Sequence, residues 1–351
     1  MLKILFLLRL VRLSRADTGS VPFLFALTLF SPCDILRKKK MREGGDGVEH
    51  SVAPINWYPG HMAKTKRILM EQIRKVDLVL ELCDARLPFS SRNPEIGRMA
   101  GGKRRIVLLN KADLADPGCT ARWLLDIRQS GQDAAAIDST RLRNKEIIAM
   151  IEKNTRETVD RALERGIRKT VRAMVLGVPN VGKSTLINQL RGKGIARTGD
   201  RPGVTKNAQW IRISPYMELL DTPGLLWPRL DDQNAARKLC YIGSVSDEVT
   251  DLTELALSLL DELKAINPEA VKSRFHLDSC EPEGAELLDA VCKGRGWLLK
   301  GNEYDYDRAA RVILDEFRAG KLGRITLEQP QAERGIPDGG PGRTGQKTDG
   351  I

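Results

Sequence analysis

Gly177-Val178-Pro179-Asn180-Val181-Gly182-Lys183-Ser184 narrows what this chain can fold into more than any other stretch of it. The run has the form G-x-x-x-x-G-K-S. It follows a β-like apolar segment, residues 171–176, and opens a helical pattern over residues 184–191. Strand, glycine-rich loop and helix in that order make a phosphate-binding loop. The two glycines let backbone N–H groups turn inward around phosphate oxygens, and the helix N-terminus adds its positive end. Lys183 can reach β- and γ-phosphates, and Ser184 can offer its hydroxyl to Mg²⁺. Asn180, Val181, Gly182 and Thr185 complete the set of expected phosphate neighbours.

Two more segments fall into place around that loop. Asp221-Thr222-Pro223-Gly224 lies 38 residues after Lys183, at the end of another strand pattern. There Asp221 can hold Mg²⁺, directly or through water, and the Gly224 N–H can meet a γ-phosphate. Between the two, Pro202-Gly203-Val204-Thr205 offers a loop threonine. Its hydroxyl can complete the metal shell only while the γ-phosphate is present. Asn110-Lys111-Ala112-Asp113 follows the apolar run 106–109 and has the form N-K-x-D. Asp113 can accept hydrogen bonds from N1 and N2 of guanine. Adenine lacks that donor pair, so the pocket is expected to select GTP and GDP. Asn110 would brace the loop, the Lys111 stem would cover the base, and Ser139 and Thr140 would turn backbone N–H groups toward guanine O6.

The base motifs at 110–140 precede the phosphate motifs at 177–224, the reverse of an ordinary GTPase. The same sheet forms if the old termini are joined, because termini usually lie close together. Strand candidates at 78–82, 106–109, 134–137 and 171–176, and a hairpin at 209–213 and 217–220, alternate with helical patterns such as 62–76 and 145–164. The expected fold is an α/β P-loop GTPase domain with circularly permuted motif order over residues 51–240. After Cys240 the strand signal stops. Leu252, Leu255, Leu259 and Leu263, then Ala309, Val312, Ile313 and Phe317, recur at helical spacing. They predict a small all-α C-terminal domain over residues 241–330, followed by a Gly- and Pro-rich tail, 331–351, expected to be disordered. The permutation joins the γ-phosphate-sensitive segment directly to the helical domain, so hydrolysis could reorient that domain.

Composition is that of a globular chain, with 41% apolar residues and 29% charged. It excludes collagen-like and disulfide-stapled classes. Six scattered cysteines without a C-x-x-C pair suggest a reduced compartment and no zinc site. The formal net charge is +11, of which residues 1–40 carry +6. That opening is Arg-rich, and its apolar run 21–30 is too short to span a bilayer. It reads as an organellar transit peptide or as sequence preceding a true start at Met41, the latter preferred. A signal peptide fits less well, since no small-residue cleavage site follows the apolar run.

The chain resembles the circularly permuted GTPases, and most closely the bacterial RbgA/YlqF group. The matching stretches are Asn56-Trp57-Tyr58-Pro59-Gly60-His61-Met62, Asp84-Ala85-Arg86, Ser90-Ser91-Arg92-Asn93-Pro94, the nucleotide motifs above, and residues 320–328. The resemblance covers residues 55–330. It implies a GTPase acting in late assembly of the large ribosomal subunit, with the helical domain touching rRNA and ribosomal proteins. It implies a monomer in the bacterial cytoplasm, or a mitochondrial relative if the Arg-rich start is a transit peptide. Where many GTPases carry a water-orienting Gln, this chain has Leu225, which neither donates nor accepts. Turnover alone should therefore be slow and stimulated by the large subunit. The resemblance suggests that His61 supplies the missing polar group, and that Asn180 helps hold K⁺ beside the phosphates.

Candidate RNA-phosphate contacts are Lys64, Lys66, Arg67, Arg74 and Lys75, and, near the C-terminal end, Lys293, Arg295, Lys300, Arg308, Arg311, Arg318, Lys321 and Arg324. Trp297, Tyr304 and Tyr306 could stack on bases, although core packing is the simpler expectation. Two other classes compete with the hydrolase: a GTP-regulated RNA-binding scaffold that does not turn over, and a membrane-associated GTPase anchored by residues 1–30.

Overall fold

Six segments become strands: β1 (Leu78–Asp84), β2 (Arg104–Asn110), β3 (Asp133–Ala136), β4 (Val171–Leu176), β5 (Gln209–Ser214) and β6 (Met217–Asp221). They form one sheet in the order β3-β2-β1-β4-β6-β5, parallel throughout except for β5, which runs antiparallel to β6. The computed structural model describes residues 60–141, 144–191, 209–226 and 232–330, all within the compact unit His50–Ile351. The N-terminal extension, Thr205 and the tail 331–351 lie outside the described residues.

β1 and β2 run further than the apolar runs alone predict. Their register continues from Leu78 opposite Arg104 to Asp84 opposite Asn110. The extra residues carry polar groups to the C-terminal edge of the sheet, where ligands bind in open α/β folds. β1 is buried along its whole length, as a central parallel strand is. Its one charged interior residue, Glu81, is 1% exposed and pairs with Arg92 and Arg105 at 3.3 and 3.6 Å.

The helices are α1 (Gly60–Ile73), α2 (Pro94–Ala100), α3 (Pro117–Gln129), α4 (Asn144–Leu163), α5 (Lys183–Arg191), α6 (Gln233–Tyr241), α7 (Leu252–Ile266), α8 (Pro268–Phe275), α9 (Gly284–Arg295) and α10 (Tyr306–Arg318). Local chemistry starts several of them. Asp116 caps α3 by accepting from the Cys119 N–H, with Pro117 at the first helical position. Asp251 caps α7, and Asn267-Pro268 does the same for α8. Leu69 and Ile73 of α1 and Ile96 of α2 pack with Val79, Met174, Leu176, Leu220 and Leu225 in one core cluster. Trp123 and Ile127 of α3 join Val107 and Leu109 in another.

From α6 onward the described chain is helical, as the spacing predicts. α7 is central, with α6, α8, α9 and α10 packed against it. The Gly294-Arg295-Gly296 stretch is a crossing point: a Cβ on Gly294 would stand 2.3 Å from the Phe275 carbonyl oxygen. This helical part is not isolated from the sheet. Residues 320–330, without regular secondary structure, return across it, and Leu322, Ile325, Thr326, Leu327 and Glu328 are all buried. Among the described residues no helix is long and apolar enough to cross a membrane.

Candidate functional site

The loops after β1, β2, β3, β4 and β6 leave the same edge of the sheet because those strands are parallel. Phosphate and base motifs meet there despite their inverted order. Asn110, the last residue of β2, makes the junction. Its Nδ2 donates to the Val181 carbonyl at 2.7 Å, inside the glycine-rich loop. Its Oδ1 accepts from the Ser139 N–H at 3.0 Å and from Ser139 Oγ at 2.7 Å. One buried amide therefore ties three motif loops together.

That junction explains the second glycine. Gly182 has φ +98°, and a Cβ there would stand 2.5 Å from Asn110 Nδ2. The first glycine is equally constrained, since a Cβ on Gly177 would meet the Leu82 carbonyl at 2.4 Å. Gly224 lies against Pro179, where a Cβ would fall 2.7 Å from its Cα. The 221–224 loop thus rests directly on the phosphate loop. Leu225 turns away into the core at 1% exposure, packed with residues of α1 and α2. Its N–H bonds the Gly177 carbonyl, and its own carbonyl accepts from Asn93 Nδ2 at 3.1 Å. The position after D-x-x-G is therefore structural here.

Lys183 is buried, with Nζ 2.8 Å from the Val178 carbonyl and 3.2 Å from that of Gly177. Burial pushes its pKa down to about 8, against the opposing pull of Asp221. Ser184 Oγ lies 3.4 Å from Asp221 Oδ2. A buried ammonium, a glycine cradle that no Cβ could enter, and a hydroxyl beside a buried carboxylate are the donor set that a nucleotide phosphate and Mg²⁺ require. Mg²⁺ held by Ser184 and Asp221 would neutralise charge on the phosphates. Residue Thr205 lies outside the described residues, and of His61 only the backbone, in the first turn of α1, is described.

The lowered Lys183 pKa sets a pH dependence. Below about pH 8 the ammonium is charged in both folded and unfolded chains, and the folded state bears its desolvation cost. That cost fades as the pH rises from about 8 toward the ordinary value of 10.5. Phosphate favours the charged form, so GDP binding is expected to take up about 0.5 proton at pH 8. Calorimetry in buffers of different ionisation enthalpy reads this directly, and zero uptake would contradict the lowered pKa of Lys183.

At the base end, Asp113 is exposed, and Lys111 sits in the left-handed region at φ 59°. The Lys111 ammonium rests 3.0 Å from Asp84 Oδ2. Ser139 braces Asn110, its N–H and Oγ both donating to Asn110 Oδ1. The Thr140 N–H is held by Asp138 Oδ1 at 2.8 Å. Asn180, also left-handed at φ 61°, donates its Nδ2 to the Gly243 carbonyl, and Ser244 Oγ donates to the Pro179 carbonyl at 2.7 Å. The turn after α6 therefore covers the crown of the phosphate loop.

Asp84-Ala85-Arg86, one of the stretches that carry the resemblance, has a role that spacing does not indicate. Arg86 is 1% exposed; its Nε and Nη2 donate to both Asp84 oxygens at 2.9 and 2.8 Å. Its Nη1 donates to the Phe317 carbonyl at 2.8 Å, at the C-terminus of α10, and the guanidinium lies over the Phe317 ring. Burial alone would raise the Asp84 carboxyl, but Lys111 and Arg86 hold it well below the usual carboxylate range. The signal available in sequence was a charged pair at the end of an apolar strand beside N-K-x-D.

Of the expected RNA contacts, several are already committed. Arg318 bonds Asp247 and the Tyr241 and Cys240 carbonyls, Arg295 lies over Trp297 and beside Glu316, and Lys66 pairs with Glu95. Trp297 is buried, and Tyr306 donates to Asp289 at 2.7 Å, so these rings pack rather than project. Arg67, Arg74, Lys75, Lys293, Lys300, Arg308, Arg311, Lys321 and Arg324 remain exposed.

This sheet order, with the phosphate loop after β4 and the base motif after β2, defines a circularly permuted P-loop GTPase. A family model described as 50S ribosome-binding GTPase matches residues 172–280. Ribosome biogenesis GTPase A of Bacillus cereus is 44% identical over 279 residues, spanning 79% of this chain and 94% of that one. The Thermotoga maritima protein of the same name is 32% identical over 277 residues, spanning 79% and 95%. The chain belongs to the ribosome biogenesis GTPase A family. A GNP-bound YlqF structure from T. maritima superposes with a TM-score of 0.57 at 27% identity, over 76% of this chain and 99% of that one. A plant relative, Short integuments 2, mitochondrial, of Arabidopsis thaliana, is 36% identical over 232 residues, which is 62% of this chain and 58% of that one.

Proposed function

We propose that this chain binds GTP with its base at Asp113 and its phosphates at Lys183, and hydrolyses it to GDP and phosphate during assembly of the large ribosomal subunit. The observation that carries the reading is the Asn110 amide, which joins the base loop to the phosphate loop at 2.7 Å. The names of the bacterial relatives supply the ribosomal setting. Bacterial cytoplasm is the matching location, and the plant relative keeps a mitochondrial role as the alternative.

Turnover by the isolated chain is slow in this reading, because Leu225 is spent on the core and offers the attacking water nothing. The large subunit then supplies the missing order. His61 is the proposed group that orients water. It stands in the first turn of α1, whose Leu69 and Ile73 pack in the same cluster as Leu225. Thr205, Asp221 and Ser184 would hold Mg²⁺, which would neutralise charge on the phosphates, and the Gly224 N–H would face the γ-phosphate. Asn180 keeps its side-chain oxygen for K⁺ while its nitrogen holds Gly243. Hydrolysis in KCl is expected to outpace that in NaCl at equal ionic strength; equal rates remove the K⁺ role.

The test is sedimentation of the chain with purified large subunits in GDP and in a non-hydrolysable GTP analogue, followed by hydrolysis assays on the bound fraction. Tighter association with the analogue and stimulated turnover are expected. Binding without turnover would support the non-hydrolysing scaffold instead. His61→Ala is expected to keep nucleotide affinity and lose the stimulation, and a fully stimulated variant would clear His61 of the role.

A further inference from the structure

Residues 320–328 carry no helix or strand, yet five of them are buried, and they bond to the loop that bears Asp113. Arg324 Nε donates to the Asp113 carbonyl at 3.1 Å. The Ile325 N–H donates to the Leu114 carbonyl at 3.1 Å, and the Asp116 N–H donates to Thr326 Oγ1 at 3.1 Å. Gly320, at φ +72°, lies so close to Leu114 that a Cβ would stand 2.5 Å from its Cδ2. The far end of the segment is pinned as firmly. The Leu327 N–H reaches the Arg86 carbonyl at 2.9 Å, Glu328 accepts the Phe89 N–H at 2.7 Å, and Trp123 Nε1 donates to the Glu328 carbonyl at 2.9 Å.

The geometry points to a strap that aims the guanine-reading carboxylate: residues 320–328 position the Asp113 loop and thereby set base selectivity. The inference rests on the reading that Asp113 recognises guanine. Arg324 is a positioning residue in it, acting through the Asp113 backbone. A short loop with a left-handed Lys111 has few constraints of its own; on its other side, the Ala112 N–H bonds the Ile137 carbonyl at 3.1 Å. Without the strap, the loop would keep its own turn bonds, Leu114 N–H to the Lys111 carbonyl and Ala115 N–H to the Ala112 carbonyl, but would lose every bond from the C-terminal segment. The second base neighbour, Lys111, is held by the same part of the chain through Asp84, Arg86 and the end of α10. Affinity for guanine therefore depends on docking of the C-terminal segment.

The test compares GDP with inosine diphosphate, which keeps the N1 donor of guanine but lacks the 2-amino group. Wild-type preference for GDP over ADP establishes the base reading first; without that preference the reading itself fails, whatever the strap does. Arg324 is exposed, so Arg324→Ala leaves the fold intact, which the unchanged melting temperature of the nucleotide-free protein verifies. Arg324→Ala is expected to weaken GDP binding about tenfold and inosine diphosphate binding about twofold or less, since the loss falls on a charge-assisted bond that only GDP makes in full. Thr326→Val, which removes the acceptor for the Asp116 N–H, should change the ratio in the same direction. Equal losses for the two nucleotides, or no loss for either, would overturn the strap's role in base reading.

Discussion

Asp113→Asn should exchange the base preference of the chain. GDP affinity is expected to fall by about 10²–10⁴, because two charge-assisted bonds at ~1.5–3 kcal/mol each are lost or reversed. Xanthosine diphosphate should gain, since its 2-oxo group accepts where guanine donates and an Asn side chain can donate to it. The side chain of Asp113 is exposed, and the strap bonds its backbone, so the fold itself should be unaffected. Titration of the variant with guanosine, xanthosine and adenosine diphosphates checks this. Retained GDP affinity would mean that the base is read elsewhere and that the site has been assigned backwards.

Arg86→Met should destabilise the chain by about 3–5 kcal/mol, because it removes both guanidinium bonds to a buried carboxylate and leaves it only Lys111 and the backbone N–H of residue 86. In a chain of this size that corresponds to a melting temperature lower by roughly 10 °C. The effect carries a pH signature. The folded-state pKa of Asp84 is depressed, so its stabilisation is present above the unfolded carboxylate range and lost as the pH falls through the folded value. Without Arg86 that loss begins at higher pH, and the gap between variant and wild type should narrow on acidification below about pH 4. Urea denaturation at pH 7 and pH 3.5 measures both terms. A variant as stable as wild type at pH 7 would show that the α10 contact contributes nothing to holding the two parts of the chain together.

These two residues also mark what could be read from sequence. The place of Asp113 at the sheet edge, in the loop after β2, was legible because the N-K-x-D pattern is local: four residues in one loop directly after an apolar run. Gly182 and Asn110 were legible for the same reason, and the contact between them follows once both loops share a sheet edge. The strands were legible from apolar runs, but their ends were not. Asp84 and Asn110 belong to β1 and β2 only because pairing continues in register past the apolar residues. Leu225 was visible as a missing Gln, yet its burial against α1 depends on packing that no spacing encodes. Arg86 and residues 320–328 could be quoted as motifs but not interpreted, since their partners lie more than two hundred positions away. The bond from Ser139 to Asn110 was not legible, because it joins two loops 29 positions apart.

The strap has a bearing on how such a chain matures. Its bonds to Asp116 and Ala85 close loops of 210 and 241 residues, the costliest kind of contact to form by diffusion. The Asp113 loop is synthesised early, but its bonds to Arg324, Ile325 and Thr326 cannot form until more than two hundred further residues have been made. A partly synthesised chain would carry a complete phosphate loop and an unfastened base pocket. If the strap aims Asp113 as proposed, competence to distinguish one nucleotide from another would be among the last properties this protein acquires as it is made.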